Sequence, residues 1–308
     1  MKICSLLPSA TEILFALGLG EQVAGVSHEC DFPPEARFKP VLIKSRISHT
    51  ESAAAIDRQV REFLERGESL YRVDFEMLRA IEPDLIVTQD LCHVCAATPY
   101  DLGAALAHLE RQPRVVTLNP HSLADVSADI RAVGEATGRA EQANAVVAEF
   151  ERGIANVERS VAGLDRPRVL CLEWLDPPYV AGHWVPEMVE RAGGIDVLGH
   201  QGKPSYRMEW ETLLAARPEV IFIMPCGYSL ATAEAEFRNL SLPLRWNDLP
   251  AVRDGRVFVV EASGYFSRPG PRLAAGMAVL AAAIHAGKQN RVLPFESKEL
   301  VARVSVGR

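Results

Sequence analysis

The chain has 308 residues, of which 48% are hydrophobic and 24% are charged, and this balance excludes a disordered or fibrous protein. Its 33 Lys and Arg residues against 40 Asp and Glu residues give a net charge of −7 with no basic patch, so no nucleic-acid partner is expected. At roughly 100 to 200 residues per domain, this length predicts about two domains.

The N-terminal segment lacks the pattern of an export signal. Lys2 is followed by a short apolar run that stops at Pro8, and residues 9–18 predict a capped helix that carries Glu12. The sequence therefore predicts a cytoplasmic protein, or a periplasmic one if a leader is missing. The longest nearly unbroken apolar stretch, 273–284, is shorter than the roughly 18 residues of a transmembrane helix and predicts a buried helix.

Short runs rich in Val, Ile and Leu alternate with helix-period segments, which is the pattern of strands and crossover helices around a parallel sheet. The predicted strands, in chain order, are 2–6, 23–27, 84–88, 114–118, 168–172, 219–224 and 256–261. Between the fourth and fifth strands, apolar residues recur at helical spacing over about 139–163. They predict one amphipathic helix of roughly 35 Å at 1.5 Å per residue.

The sequence thus predicts an α/β protein with two similar Rossmann-like lobes and parallel sheets. The predicted domains are an N-terminal lobe at 1–138, a connecting spine helix at 139–165 and a C-terminal lobe at 166–308. Because small ligands usually bind between such lobes, a ligand cleft is expected there.

An internal repeat supports the two-lobe prediction. Residues 76–86 and 211–221 both match E-x-L-x-A-x-x-P-[DE]-[LV]-I, which predicts a short helix that ends before a proline and is followed by a buried strand. Glu76 and Glu211 begin the two helices, where a carboxylate complements the positive helix end. Two equivalent carboxylates, one per lobe, could also form a docking pair for arginines of a partner.

Cysteine and histidine side chains follow two of the predicted strands. His28 and Cys30 follow the second strand, and Cys92, His93 and Cys95 follow the third. Both loops leave the carboxyl ends of parallel strands, so these side chains could meet at one edge of the sheet. Thiolates and imidazoles suit zinc, with iron as another candidate. The alternatives for Cys92 and Cys95 are reduced thiols without a metal, or a local disulfide if the protein is exported.

Aromatic side chains are concentrated in the predicted loops. Large, flat side chains on loops favour a site for a large, partly apolar ligand, with packing in the core as the alternative for each residue. The candidate ligand-binding residues are Phe32, Tyr71, Trp174, Tyr179, Tyr206, Tyr265 and Phe266. No Rossmann glycine fingerprint, P-loop, zinc-protease or nucleophile-elbow motif occurs. The sequence therefore predicts no catalytic residues and no enzyme activity.

Several stretches together resemble the cobalamin-binding proteins, within the iron-siderophore, haem and cobalamin group of substrate-binding proteins of ABC importers. The similar stretches begin with S-L-L-P-S-A-T-E at 5–12 and continue at 23–27, 30–34, 83–87, 176–179, 211–221 and 265–272. The resemblance covers nearly the whole chain. It implies two α/β lobes joined by a rigid helix, which agrees with the helix predicted from periodicity.

The resemblance also implies a function. It implies reversible binding of cobalamin, another corrinoid or a related metal chelate, and docking of Glu76 and Glu211 on arginines of an ABC transporter permease. Phe32, Tyr179, Tyr265 and Phe266 fall near the aromatic residues that contact the corrinoid in the family. His28 or His93 could act as an axial ligand of the cobalt.

Two alternatives remain beside this leading hypothesis. One is a cytoplasmic metal-binding or enzymatic protein on the same scaffold, centred on the five cysteine and histidine residues above. The other is an interaction partner that docks through Glu76 and Glu211 and has no ligand of its own.

Overall fold

The computed structural model describes residues 1–47, 52–90, 103, 106, 109–286 and 300–304. The chain divides into two compact units. Unit 1 comprises Met1–Glu51, Ala55–Pro120 and Ala124–Ala148, and unit 2 comprises Ser52–Ala54, His121–Leu123 and Glu149–Arg308.

Unit 1 contains a mixed sheet with helices. Its described strands are β1 (Ile3–Ser5), β2 (Val23–Ser27), β3 (Val41–Ser45), β4 (Tyr71–Val73), β5 (Leu85–Gln89) and β6 (Arg114–Leu118). The described helices that lie mainly in it are α1 (Pro8–Ala16), α2 (Ala53–Glu65), α3 (Phe75–Ile81) and α4 (Leu123–Thr137), with 3₁₀ turns at Gly20–Gln22 and Pro34–Phe38. The strand order is β4-β3-β2-β1-β5-β6. All neighbouring strands are parallel except β4, which pairs antiparallel with β3.

The chain passes from unit 1 to unit 2 within one long helix, α5 (Ala140–Val161). This helix confirms the amphipathic helix predicted over about 139–163. Its buried stripe recurs at intervals of three and four residues, as the helical period requires. The stripe consists of Ala143, Val147, Phe150, Ile154, Val157 and Val161.

Unit 2 contains a second mixed sheet. Its described strands are β7 (Arg168–Leu175), β8 (Pro178–Val180), β9 (Ile195–Asp196), β10 (Tyr206–Arg207), β11 (Val220–Ile223), β12 (Val257–Val260) and β13 (Val301–Arg303). Its described helices are α6 (Val185–Arg191), α7 (Trp210–Ala215), α8 (Leu230–Asn239), α9 (Pro250–Arg253) and α10 (Leu273–Ile284). Leu244–Asp248 forms a 3₁₀ turn and Ser263–Ser267 a π-helical turn. The order is β10-β8-β7-β11-β12-β13, with β9 beside β7.

The two-lobed α/β fold class is confirmed, and each of the seven predicted strands is present. The sheets are mixed rather than wholly parallel, because β4, β8, β10 and β13 run antiparallel to their neighbours. Each of these four strands has only two or three residues. A strand that short does not produce an apolar run, and none of these four was predicted. The five-residue β3 and the two-residue β9 were not predicted either.

The apolar run 273–284 forms α10, whose residues are largely buried, as predicted. Among the described helices, none has both the length and the apolar composition needed to cross a membrane. In α10 the backbone of Tyr265 packs directly against Gly276, where a Cβ would overlap the Tyr265 carbonyl oxygen. A glycine is therefore required at this close approach.

Gly276→Ala is expected to lower the free energy of unfolding by about 1–3 kcal/mol, because an added methyl in a packed interior forces the backbone apart. This cost exceeds the gain of about 1 kcal/mol from replacing a helical glycine by alanine. Equilibrium urea denaturation measures the change. Gly153→Ala in α5 is the matched control, because its methyl would meet the Cβ of Ala274 at 3.0 Å rather than a carbonyl oxygen. Equal stability of the two variants would contradict the expectation.

The internal repeat has a structural counterpart in unit 1. After α3, Glu82 takes a left-handed conformation (φ 50°) directly before Pro83. The Asp84 carboxylate then accepts a hydrogen bond from the main-chain N–H of Lys2 at 2.7 Å. The Lys2 ammonium group donates to the carbonyl oxygen of Ile81 at 2.7 Å. These contacts fix the end of a helix against the starts of β1 and β5.

Unit 2 repeats the same arrangement at the equivalent positions. Arg217 is left-handed (φ 46°) before a proline, and the Glu219 carboxylate accepts from the main-chain N–H of Arg168 at 2.9 Å. The Arg168 guanidinium donates to the carbonyl oxygen of Ala216 at 2.6 Å. We call this arrangement the strand-start clamp. Its presence in both units shows that the repeated sequence encodes a repeated structure.

Candidate ligand-binding site

Two of the predicted ligand-binding aromatic residues lie side by side in unit 2. Trp174, near the carboxyl end of β7, is paired across the sheet with Tyr179 on β8, and Tyr179 is paired with Arg207 on β10. Directly paired residues point to the same face of a sheet, so these three side chains form one row. The Trp174 indole N–H donates to the carbonyl oxygen of Ala53, a residue of the same unit, at 3.3 Å.

Tyr228 packs against this aromatic surface, is only 6% exposed and was not predicted from the sequence. Its ring lies edge-to-face against Trp174 with the centroids 5.3 Å apart. Burial, and then the nearby Glu236 carboxylate, raise the pKa of Tyr228 to about 12. The Ser263 hydroxyl donates to the Tyr228 carbonyl oxygen at 3.3 Å, which joins the loops after β11 and β12. We call Trp174, Tyr179 and Tyr228 the aromatic platform.

Tyr265 and Phe266 are neighbours in the chain but have different environments. Tyr265 is partly exposed, and the Arg272 guanidinium lies 5.1 Å from its ring centroid, within the range of a cation–π contact. Phe266 is only 2% exposed, and its carbonyl oxygen accepts a hydrogen bond from the Trp184 indole N–H at 2.7 Å. Tyr265 is therefore accessible in part, whereas the Phe266 ring packs in the core of unit 2.

Tyr206 is directed away from the aromatic platform. It is paired with Val180 on β8, one residue from Tyr179, so its side chain points to the opposite face of the sheet. Its hydroxyl donates to the carbonyl oxygen of Leu198 at 2.6 Å, and its ring stacks on His200 with the centroids 5.5 Å apart. The structure does not bring Tyr206 together with Trp174 and Tyr179.

The remaining two aromatic candidates belong to unit 1. Phe32 lies in the loop after β2 and is 42% exposed. Tyr71 begins β4, and its ring centroid lies 6.3 Å from that of His28. His28 Nδ1 lies 3.2 Å from the carbonyl oxygen of Ile43, within hydrogen-bond distance. Both aromatic side chains are accessible in part, and Tyr71 and His28 lie on neighbouring segments at one edge of the unit 1 sheet.

The predicted cysteine and histidine cluster is described only in part. Cys30 is buried and accepts a hydrogen bond from the Thr11 hydroxyl at a Sγ–Oγ1 distance of 3.0 Å. Cys92, His93 and Cys95 lie outside the described residues. Within the part of the chain that the structure describes, no three His, Cys, Asp or Glu side chains are placed to hold a metal ion.

Glu173, which directly precedes Trp174 of the aromatic platform, carries a partly buried carboxyl group. The pairing of β7 with β8 contains an irregularity between Leu172 and Trp174, and Glu173 is the residue at this bulge. The Ser205 hydroxyl donates to Glu173 Oε1 at 3.3 Å. Burial raises the pKa of Glu173 to about 7, an effect partly offset by hydrogen bonds from the Gly182 main chain and from Ser205. No sequence motif distinguishes this residue from other strand glutamates.

Glu76 and Glu211 occupy the first turns of α3 and α7 and are exposed. The first turn of α3 is also stabilised by Asp74, whose side chain accepts a hydrogen bond from the main-chain N–H of Met77 at 3.0 Å. Since each glutamate begins the helix of a strand-start clamp, the two carboxylates occupy equivalent positions in their units. Both are accessible to a partner.

Comparison with known proteins agrees with this architecture. Residues 3–263 match the family described as periplasmic binding protein. A vitamin B12-binding protein of Vibrio cholerae serotype O1 is 24% identical over 275 residues, which cover 88% of this chain and 84% of that protein. These matches support a binding function and not the metal-binding or enzymatic alternative.

Two solved structures are similar over nearly their whole length. The apo form of the periplasmic heme-binding protein RhuT from Roseiflexus sp. RS-1 is 25% identical with a TM-score of 0.69, and the match covers 94% of this chain and 99% of that one. A periplasmic heme-binding protein from Pseudomonas aeruginosa is 20% identical with a TM-score of 0.71 and 99% coverage of both chains. Because the family match extends over well more than half of its residues, this chain belongs to the periplasmic binding protein family and is a binding protein rather than an enzyme.

Proposed function

We propose that this protein is the substrate-binding component of an ABC importer and that its ligand is a corrinoid such as cobalamin, or a related metal chelate. The aromatic platform is the observation that carries the proposal. Trp174 and Tyr179 offer adjacent, partly exposed rings, and the buried Tyr228 supports Trp174 from the loop after β11. Trp174 and Tyr228 lie at the carboxyl ends of parallel strands. Ligands of open α/β sheets bind at that edge.

The chemistry of the platform suits a large macrocycle. Aromatic side chains bury about 150–250 Å² each, and their faces stack on flat apolar surfaces. Polar side chains lie beside the rings, where Arg207 is paired with Tyr179 and Glu173 precedes Trp174. A mostly apolar surface with a few placed polar groups is the usual composition of a small-molecule site.

The relatives favour this class of ligand. The names of the similar proteins specify vitamin B12 in one case and heme in others, and both ligands are metal-bearing macrocycles. The binding component of an importer works on the outer side of the membrane, and we expect the same location here. The exposed carboxylates of Glu76 and Glu211 would then contact arginines of the permease.

A visible absorption titration tests the proposal. The purified protein is titrated with cobalamin, dicyanocobinamide and haem, and a saturable spectral change near one equivalent is expected for at least one of them. Zinc and iron are assayed on the same sample. No binding of any of the three at tens of micromolar would overturn the proposal.

A further inference from the structure

We propose that Glu173 selects the ligand by the chemistry of the macrocycle's rim, favouring rims that carry amide N–H groups over rims that carry carboxylates. This inference rests on the proposed function, and it adds the residue that distinguishes between ligands of that class. It follows from the position of the side chain, from the groups that surround it and from its ionisation.

The backbone places Glu173 at the border of the aromatic platform. It directly precedes Trp174, and β7 bulges at this point, with Leu172 paired to Val180 and Trp174 to Tyr179. A bulge adds one residue to a strand and redirects its side chain. Glu173 is partly exposed and lies near the carboxyl end of β7.

The neighbours of the carboxyl group are neutral donors. Ser205 donates its hydroxyl to Oε1 at 3.3 Å, and the Gly182 main chain provides the second hydrogen bond. A Cβ at Gly182 would overlap the backbone of Lys203 and Ser205, so the two segments pack closely beside the carboxyl group. Within the described residues, burial and these two hydrogen bonds are the influences that shift the pKa of Glu173.

The cationic groups on the surrounding segments are exposed, paired or held neutral. Lys203 and Arg207 are exposed, and Arg207 lies 3.8 Å from the Glu209 carboxylate. Burial, and then His121, lower the pKa of His183.

Burial raises the pKa of the Cys171 thiol on β7 and of the Tyr206 phenol on β10, so both are neutral at neutral pH. Cys226, after β11, donates its main-chain N–H to the Glu173 carbonyl oxygen at 3.2 Å. Asp196 on β9 interacts with Cys171 and Tyr206 and adds only negative charge.

Because of these surroundings, Glu173 should strengthen the binding of a ligand whose rim carries amides and weaken the binding of one whose rim carries carboxylates. An ionised carboxylate accepts charge-assisted hydrogen bonds from amide N–H groups, which are about twice as strong as neutral ones. A carboxylate on the ligand would instead place a like charge beside a partly buried one, which is unfavourable. Because burial raises the pKa of Glu173 to about 7, its ionised fraction changes near neutral pH.

The test compares two corrinoids that differ at the rim. Dicyanocobinamide carries amides and dicyano-cobyrinic acid carries carboxylates, and cyanide occupies both axial positions of the cobalt in each. We expect the affinity for dicyanocobinamide to fall by up to about tenfold between about pH 8 and about pH 6, as Glu173 becomes protonated. The affinity for cobyrinic acid is expected to rise over the same interval. Both dependences should disappear in Glu173→Gln.

Two further variants control the experiment. Glu149→Gln removes the same charge from an exposed position of α5 and should retain the pH dependence of the natural protein. In the natural protein the hydrogen bond from Ser205 lowers the pKa of Glu173. Ser205→Ala removes this bond and should therefore move the midpoint of the pH dependence to higher pH. If the role of Glu173 were purely structural, Ser205→Ala would not move this midpoint.

The ionisation can also be followed without ligand. The pKa of Glu173 is higher in the folded protein than in the unfolded chain, so its contribution to stability is present at low pH and is lost as the pH rises through about 7. Urea unfolding should show this loss in the natural protein and less of it in Glu173→Gln.

The outcomes separate the two proposals. Corrinoid binding with the same pH profile in the natural protein and in Glu173→Gln overturns the role of Glu173 and leaves the proposed function intact. An equal pH dependence for amide and carboxylate rims also overturns it. No binding of either corrinoid or of haem at any pH overturns the proposed function and, with it, this inference.

Discussion

Trp174→Ala is expected to weaken binding of dicyanocobinamide by at least about tenfold, which corresponds to about 1.4 kcal/mol. Trp174 is the central residue of the aromatic platform, since it contacts Tyr228 edge-to-face and is paired with Tyr179. Central aromatic residues contribute most of the binding energy at interfaces. The indole N–H bond to Ala53 also holds the ring in place before the ligand arrives.

Two variants make this measurement specific. Trp174→Phe keeps an aromatic face but loses the indole hydrogen bond and part of the ring area, so a smaller loss of affinity than in Trp174→Ala is expected. Trp210→Ala removes a tryptophan of α7 that packs edge-to-face on Trp246, outside the platform, and should lower stability without lowering affinity. An unchanged affinity in Trp174→Ala, or an equal loss in Trp210→Ala, would show that the ligand binds elsewhere.

The double variant Glu76→Arg, Glu211→Arg is expected to abolish import while leaving corrinoid affinity unchanged. Placing like charges against a cationic partner surface costs several kcal/mol and slows association. The two glutamates lie on α3 and α7, apart from the residues of the aromatic platform along the chain. Uptake of radiolabelled cobalamin by cells that carry the protein with its permease measures the effect.

A second double variant provides the control for charge. Glu141→Arg, Glu149→Arg makes the same change on exposed positions of α5 and should retain uptake. If import persisted in the Glu76 and Glu211 variant, the docking proposal would be wrong. If the two double variants lost import equally, the effect would be one of net charge.

The sequence predicted the spine helix and most of the longer strands, but not the five-residue β3. β2 and β6 match the predicted bounds. β2 lies between two parallel neighbours, and β6 carries a compact run of β-branched residues. The apolar stripe of α5 recurs over 22 residues, long enough to define its period. β8 and β10 lack such patterns, since their place in the sheet is set by pairing with β7 rather than by their own composition.

The sequence provides candidate residues for the site but not their arrangement in space. Trp174, Tyr179 and Tyr265 are accessible, as expected of ligand-contacting residues, whereas Tyr206 and Phe266 have other partners. Which face of a strand a residue occupies depends on register, and the sequence does not specify the register of two-residue strands. Tyr228 was missed because it follows β11 only after a turn. Its contact with Trp174 is visible only in three dimensions.

The strand-start clamp has a consequence for how such a chain diverges over evolution. Lys2 corresponds to Arg168, Asp84 to Glu219 and Ile81 to Ala216, yet the hydrogen bonds are the same in both copies. One basic and one acidic side chain suffice, and the other partners are main-chain atoms, which every residue type except proline retains. Duplicated halves can therefore drift apart in sequence while each retains its frame. New ligand preferences can then arise in the loops of one half without a matching change in the other.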